Sequence, residues 1–183
     1  METGHTEAIL SAHDEAVNDV AVTKNGSLCM TASQDGLLRV WTLLALQNIA
    51  TMKESNEYSH LVKDRSNIRS VDISPDGQHA ISGGWDVIGK YDISVWDMSR
   101  YTCVRRVPAH KQFIEVLRYV DNQQALSASW DGTVRLHDLL SGKELRVFHG
   151  HSDWVLDISP VEQGRFLTTS KDGFVCLWSL HGV

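Results

Sequence analysis

Apolar residues recur at every second position over short runs along most of the chain, as in Val71 and Ile73 or Val134 and Leu136. A period of two sends alternate side chains to opposite faces, which predicts short strands with one buried face. Asn25-Gly26, Asp35-Gly36, Asp131-Gly132, Ser141-Gly142 and Asp172-Gly173 punctuate the runs. Such dipeptides supply the positive φ that tight hairpin turns require. Asn25-Gly26-Ser27 also fits a glycosylation sequon, but without a secretory signal it reads as a hairpin turn. No helix of useful length is predicted.

The runs group into four similar segments. The first holds His13, Val17 to Val22, Thr31 to Gly36 and Val40-Trp41. The third holds His110, Ile114 to Leu117, Ser127 to Gly132 and Leu136-His137-Asp138; the fourth holds Gly150-His151, Val155 to Ile158, Thr168 to Gly173 and Leu177-Trp178. His110 to His151, Asp131 to Asp172 and His137 to Trp178 share one offset of 41 residues. Three landmarks on one period establish a repeat. The second segment, Ile68 to Gly77, then Ser82 to Asp86, then Val95-Trp96-Asp97, is irregular: Trp41 and Trp96 are 55 residues apart. Each repeat predicts four strands, the fourth an outer one over Leu46 to Met52, Tyr101 to Val107 or Glu144 to Phe148.

The recurring His…Ser/Thr-x-x-x-Asp-Gly…Val/Leu-Trp pattern resembles the WD-repeat family over about residues 6–181. Locally, Thr31 to Trp41 is similar to a repeat of G-protein beta subunits. Ile73 to Asp86 and Leu126 to Asp138 resemble receptor-for-activated-C-kinase scaffolds. The resemblance implies an all-β WD-repeat β-propeller of four four-stranded blades, a partial ring or half of a larger one. Repeats are expected at about 13–52, 53–107, 108–148 and 149–180, with an outer strand over residues 6–11 completing the last blade.

Composition narrows the function. With 17 Lys and Arg against 23 Asp and Glu among 183 residues, the formal charge is −6. That balance speaks against nucleic acid, where affinity comes from clustered cations that release counterions. The N-terminus lacks the basic and apolar regions of a signal peptide, and no apolar run is long enough for a membrane span. Cys29, Cys103 and Cys176 are widely spaced, which suggests neither a disulfide framework nor a zinc site. A reducing compartment is expected, the cytoplasm or the nucleus, without cofactor, metal or membrane.

A Ser, a His and an Asp in one motif invite a hydrolase reading, since that trio can activate a hydroxyl. Yet the set recurs along the chain as His13, Thr31, Asp35 and Trp41, as His110, Ser127 and Asp131, and as His151, Thr168, Asp172 and Trp178. Catalytic trios occur once per site. The resemblance instead implies structural tetrads, hydrogen-bonded within each blade. His137 replaces the tryptophan in the third repeat, and Asp64 the histidine in the second. The histidines stand one per repeat, so they do not converge as metal ligands.

In the family geometry, residues before each turn Asp and at the start of each inner strand share the top face. Here these include Gln34, Trp85, Trp130 and Lys171, together with Asn18, Asn67, Arg69, Phe113, Glu115 and Trp154. Trp and Arg are the residues most enriched in interface hot spots. The expected function is therefore a non-catalytic scaffold or adaptor that binds proteins or peptides through propeller faces. The chain is alternatively a fragment of a larger WD-repeat regulatory protein, or one of two copies that complete an eight-bladed ring as a homodimer. The polar segment Lys53 to Arg65 is expected to be a solvated loop.

Overall fold

In a computed structural model that describes residues 4–53, 66–85 and 89–181, the alternating runs form fifteen strands in four antiparallel sheets. The first sheet contains β1 (Val17–Val22), β2 (Leu28–Ser33), β3 (Leu37–Thr42) and β4 (Gln47–Lys53). The second contains β5 (Asn67–Ile73), β6 (His79–Trp85), β7 (Asp92–Asp97) and β8 (Thr102–Pro108). The third contains β9 (Ile114–Tyr119), β10 (Gln124–Ser129), β11 (Thr133–Asp138) and β12 (Lys143–His149). The fourth has three strands, β13 (Val155–Val161), β14 (Arg165–Ser170) and β15 (Val175–Ser179).

Asp-Gly turns join the second and third strands where the repeat predicts them. Gly36, Gly132 and Gly173 take φ of +77°, +78° and +87°. At Gly36 the neighbouring blade adds a second constraint, because a Cβ there would lie 2.9 Å from the Ser66 carbonyl oxygen. A bulge also recurs, between Val40 and Trp41, Val95 and Trp96, and Leu136 and His137. In these three repeats it falls at the tryptophan or the histidine that replaces it.

The sheets stand side by side, with β1 packed on β5, β5 on β9 and β9 on β13. Three apolar clusters fill the spaces between neighbours. Leu38, Val71 and Trp96 belong to the first, Ile81, Ile114 and Leu117 to the second, and Leu126, Phe148 and Phe166 to the third. Each fills only because one sheet's face meets the next.

Polar contacts along the inner strands set the spacing. Asp19 Oδ2 accepts the Ser70 hydroxyl at 2.8 Å and the Val71 amide at 3.1 Å. The Leu117 amide donates to Ser70 Oγ at 3.1 Å, and the Tyr119 amide to Asp72 Oδ2 at 2.7 Å. Burial pushes the Asp72 carboxyl above its usual range, against the hydrogen bonds it accepts. Arg118 reaches Asp19 at 3.7 Å and Asp157 at 3.9 Å, so inner strands of the first, third and fourth sheets surround a common axis.

One expectation is corrected. Residues 6–11 form no strand and are largely exposed, and among the described residues the fourth sheet has three strands. The physical reason is position: this segment leads into the first sheet, at the other end of the arc from the β15 edge it would have to pair. The two ends of the arc are apolar, with Val17, Val20 and Val22 exposed on β1 and Phe174, Val175 and Leu177 exposed at β15. Asp64 and Asp86, with most of the expected solvated loop, lie outside the described residues.

Candidate functional site

The tetrad residues assemble in three blades with nearly identical geometry. His13 Nδ1 is 2.8 Å from Asp35 Oδ2 and its Nε2 is 2.7 Å from Thr31 Oγ1, which also accepts the Trp41 indole N–H at 3.2 Å. In the fourth blade the same contacts join His151 to Asp172 (2.8 Å) and Thr168 (2.7 Å), with Trp178 donating to Thr168 at 2.8 Å. In the third, His110 meets Asp131 at 2.9 Å and Ser127 at 2.7 Å. In the second blade Trp96 donates to Ser82 at 2.9 Å.

The hydroxyls of these sets lie inside the blades. Thr31, Ser127 and Thr168 are buried. Each histidine spans the carboxylate and the hydroxyl with its two ring nitrogens, and in the first and fourth blades the hydroxyl oxygen also accepts an indole N–H. In the first and fourth blades the hydroxyl thus sits between the imidazole and the indole, inside the sheet. Burial raises the Asp35, Asp131 and Asp172 carboxyls. Hydrogen bonds from the histidines and from the amides of Leu37, Lys111 and Phe174 outweigh it and hold all three below the usual carboxylate range.

His137 changes the balance in the third blade. Its Nε2 lies 2.9 Å from Ser127 Oγ, in place of an indole N–H, while its Nδ1 is buried without a hydrogen-bond partner among the described residues. Burial, with His110 and Arg135 adding positive charge, pushes its pKa down to about 3.

The top-face residues divide into a connected group and two outlying positions. Trp85 meets Phe113 edge-on with centroids 5.5 Å apart, and Phe113 lies 4.5 Å from Trp130. Trp130 stacks on Trp154 at 3.7 Å with the planes only 4° apart. Lys171 Nζ sits 4.0 Å from the centroid of Trp154, on the face that Trp130 leaves free. Arg69 joins through Glu115, whose Oε1 accepts Arg69 Nε at 2.9 Å and Nη2 at 2.6 Å, while Oε2 accepts the Trp130 indole N–H at 2.9 Å. Glu115 is thus a clasp between a cation and an indole. The cleft between Trp85 and Trp130 has a volume of about 320 Å³.

Asn18 and Gln34 lie apart from this ladder. Asn18 donates 2.8 Å hydrogen bonds to Asn67 Oδ1 and the Ile68 carbonyl, tying the first blade to the second. Gln34 is exposed, with its amide bonded to the Ala16 carbonyl. The six tryptophans therefore split in two: Trp41, Trp96 and Trp178 bond to buried hydroxyls, and Trp85, Trp130 and Trp154 form the partly exposed ladder.

Tyr91, whose ring lies 5.8 Å from Phe113, extends the ladder and was missed by sequence reasoning. It falls in the extra residues of the second repeat, where the period gives no position to read. Among the described residues no group of three or more His, Cys, Asp and Glu could hold a metal ion. No helix among them is long and apolar enough to cross a membrane. The ladder offers broad apolar area, directional indole and guanidinium donors, and one cation at its end, a set suited to docking another polypeptide.

Comparison with known proteins agrees with the repeat. Residues 4–42, 55–86, 101–138 and 142–179 each match the family described as WD domain, G-beta repeat. The chain is 26% identical to the nuclear distribution protein nudF of Emericella nidulans, over 93% of this chain and 41% of that protein. It is 24% identical to the pre-mRNA-processing factor 19 homolog 2 of Arabidopsis thaliana, over 98% of this chain and 33% of that protein. The ribosome biogenesis protein WDR12 homolog of Drosophila persimilis is 24% identical over 93% of this chain and 42% of its own length. The chain thus spans well under half the length of these relatives.

Proposed function

The chain belongs to the WD-repeat family, and on that premise we propose that it is a non-catalytic scaffold or adaptor that docks partner proteins on its top face. The observation that carries this reading is the ladder from Trp85 through Phe113, Trp130 and Trp154 to Lys171. Aromatic anchors of this kind typically account for about 2 kcal/mol or more each in protein interfaces, roughly a 30-fold change in affinity. The compartment proposed is the cytoplasm or nucleus, where the thiols of Cys29, Cys103 and Cys176 stay reduced. The test is affinity purification with the wild-type chain beside a Trp85→Ala, Trp130→Ala, Trp154→Ala variant of matched melting temperature. Loss of specific partners is expected. Recovery of the same partners by a folded variant rejects the top face.

A second reading concerns assembly and rests on the two exposed apolar ends. Asp157 stands in β13 where Asp19 stands in β1, each beside a bulge, and no described strand follows to donate to it. Two copies joined head to tail would bring such a strand and cover both ends, and eight blades would then close. Sedimentation equilibrium should give twice the chain mass, reduced to the single mass by Val20→Lys. A monomer at all concentrations rejects the homodimer.

A further inference from the structure

At the end of the sheets opposite the tryptophan ladder, the turns of the second and third blades border a cleft of about 330 Å³. Its walls include Val95 and Leu139, and its mouth carries Val104 and Leu140, which are 52% and 68% exposed. Tyr119 lines the cleft and is 8% exposed, and its hydroxyl is enclosed without a hydrogen-bond partner among the described residues. A buried hydroxyl left unpaired is unusual in a folded protein and calls for an explanation.

Two further polar groups at this cleft are unspent. Asp76 uses Oδ1 to accept the Ser74 hydroxyl and the Gln78 amide, and its Oδ2 has no hydrogen bond among the described residues. Those two bonds, the Ser74 hydroxyl first, hold its carboxyl below the usual range, so it is an acceptor at neutral pH. Arg105 is exposed and forms no ion pair among the described residues. Burial, followed by the charges of Asp72 and Asp76, raises the Tyr119 phenol well above its ordinary value, so it remains a donor.

The combination is one carboxylate acceptor, a phenol and a guanidinium donor, and an apolar recess between them. An extended polypeptide presents the complement at each residue: an N–H, a C=O and a side chain. Neither a metal ion nor a nucleotide matches a recess walled by Val95 and Leu139. We propose that this cleft is a second docking site, which takes an extended segment of a partner protein with an aliphatic side chain in the recess. Entry of the side chain opens the recess to the enclosed Tyr119 hydroxyl, so that the segment's carbonyl accepts from Tyr119 and Arg105 while its amide donates to Asp76. The site is independent of the ladder at the other end of the blades.

The experiment uses the full 183-residue chain, isotope-labelled, titrated with N-acetyl-leucine-methylamide and, in parallel, N-acetyl-glycine-methylamide. Saturable shifts at Val95, Val104, Leu139 and Leu140 are expected for the leucine probe alone. Tyr119→Phe keeps the ring and removes only the hydroxyl. It should weaken the leucine probe about fivefold, the worth of one hydrogen bond, while leaving the melting temperature equal or higher. A docking residue that is unsatisfied in the free chain predicts this split; a structural tyrosine does not. The proposal fails if both probes behave alike, if the shifts map elsewhere, if Tyr119→Phe binds unchanged, or if that variant melts lower than wild type.

Discussion

Replacing His137 by tryptophan removes a titrating group from the third blade and restores the indole used by its neighbours. The buried imidazole has its pKa pushed down to about 3, from 6.5 in an exposed setting. Between those values the unfolded chain binds a proton that the folded chain refuses. Folding stability therefore rises with pH across this window and is lost as pH falls from about 6.5. Each pH unit is worth about 1.4 kcal/mol, so lowering the pH from 6.5 to 5 costs about 2 kcal/mol through this residue alone. That is a large share of the roughly 5–15 kcal/mol that holds a typical domain. Urea unfolding at pH 7 and pH 5 measures it, with wild type and His137→Trp compared at both. Every histidine except His137 is common to both proteins, so the difference isolates the substituted position and its contacts. Wild type should lose about 2 kcal/mol more than the variant on acidification, whatever the variant's stability at pH 7. Equal losses would refute the assignment of a buried, neutral His137.

Three further substitutions probe the scaffold. Thr168→Val keeps the volume but leaves the Trp178 indole and His151 Nε2 unpaired; at about 2 kcal/mol it should lower the melting temperature by about 4–8 °C. Gly36→Ala places a methyl 2.9 Å from the Ser66 carbonyl at a φ of +77°, and thermal melts should show a loss of about 1–2 kcal/mol or more. Asp19→Ala removes the acceptor for Ser70 Oγ and the Val71 amide. It should cost about 2 kcal/mol and speed amide hydrogen exchange in β1 and β5 more than in β13.

The sequence made legible what repetition encodes. Asp35-Gly36, Asp131-Gly132 and Asp172-Gly173 marked the turns because only a few residue types accept positive φ there. The His, Asp and Thr or Ser of each tetrad could be grouped because they return on one period. Contacts that occur once had no such marker. Glu115 could be placed on the top face, but its bonds to Arg69 and Trp130 depend on how two blades face each other. Tyr91 lies outside the period. The unpaired hydroxyl of Tyr119 follows from what surrounds it, and nothing in its neighbours along the chain encodes that. Residues 6–11 show the converse: the phase of the repeat can predict a strand, but pairing requires an available edge within reach.

Trp130 and Trp154, parallel and 3.7 Å apart, are close enough for their excited states to couple. The chain thus carries its own optical reporter at the face where a partner is proposed to dock. A molecule that wedges between the rings would uncouple them and change the near-ultraviolet circular dichroism. One that only covers their edges would dim or shift the emission and leave the coupling in place. Trp41 and Trp96, fixed on buried hydroxyls, provide a constant background against which either change can be read without a label.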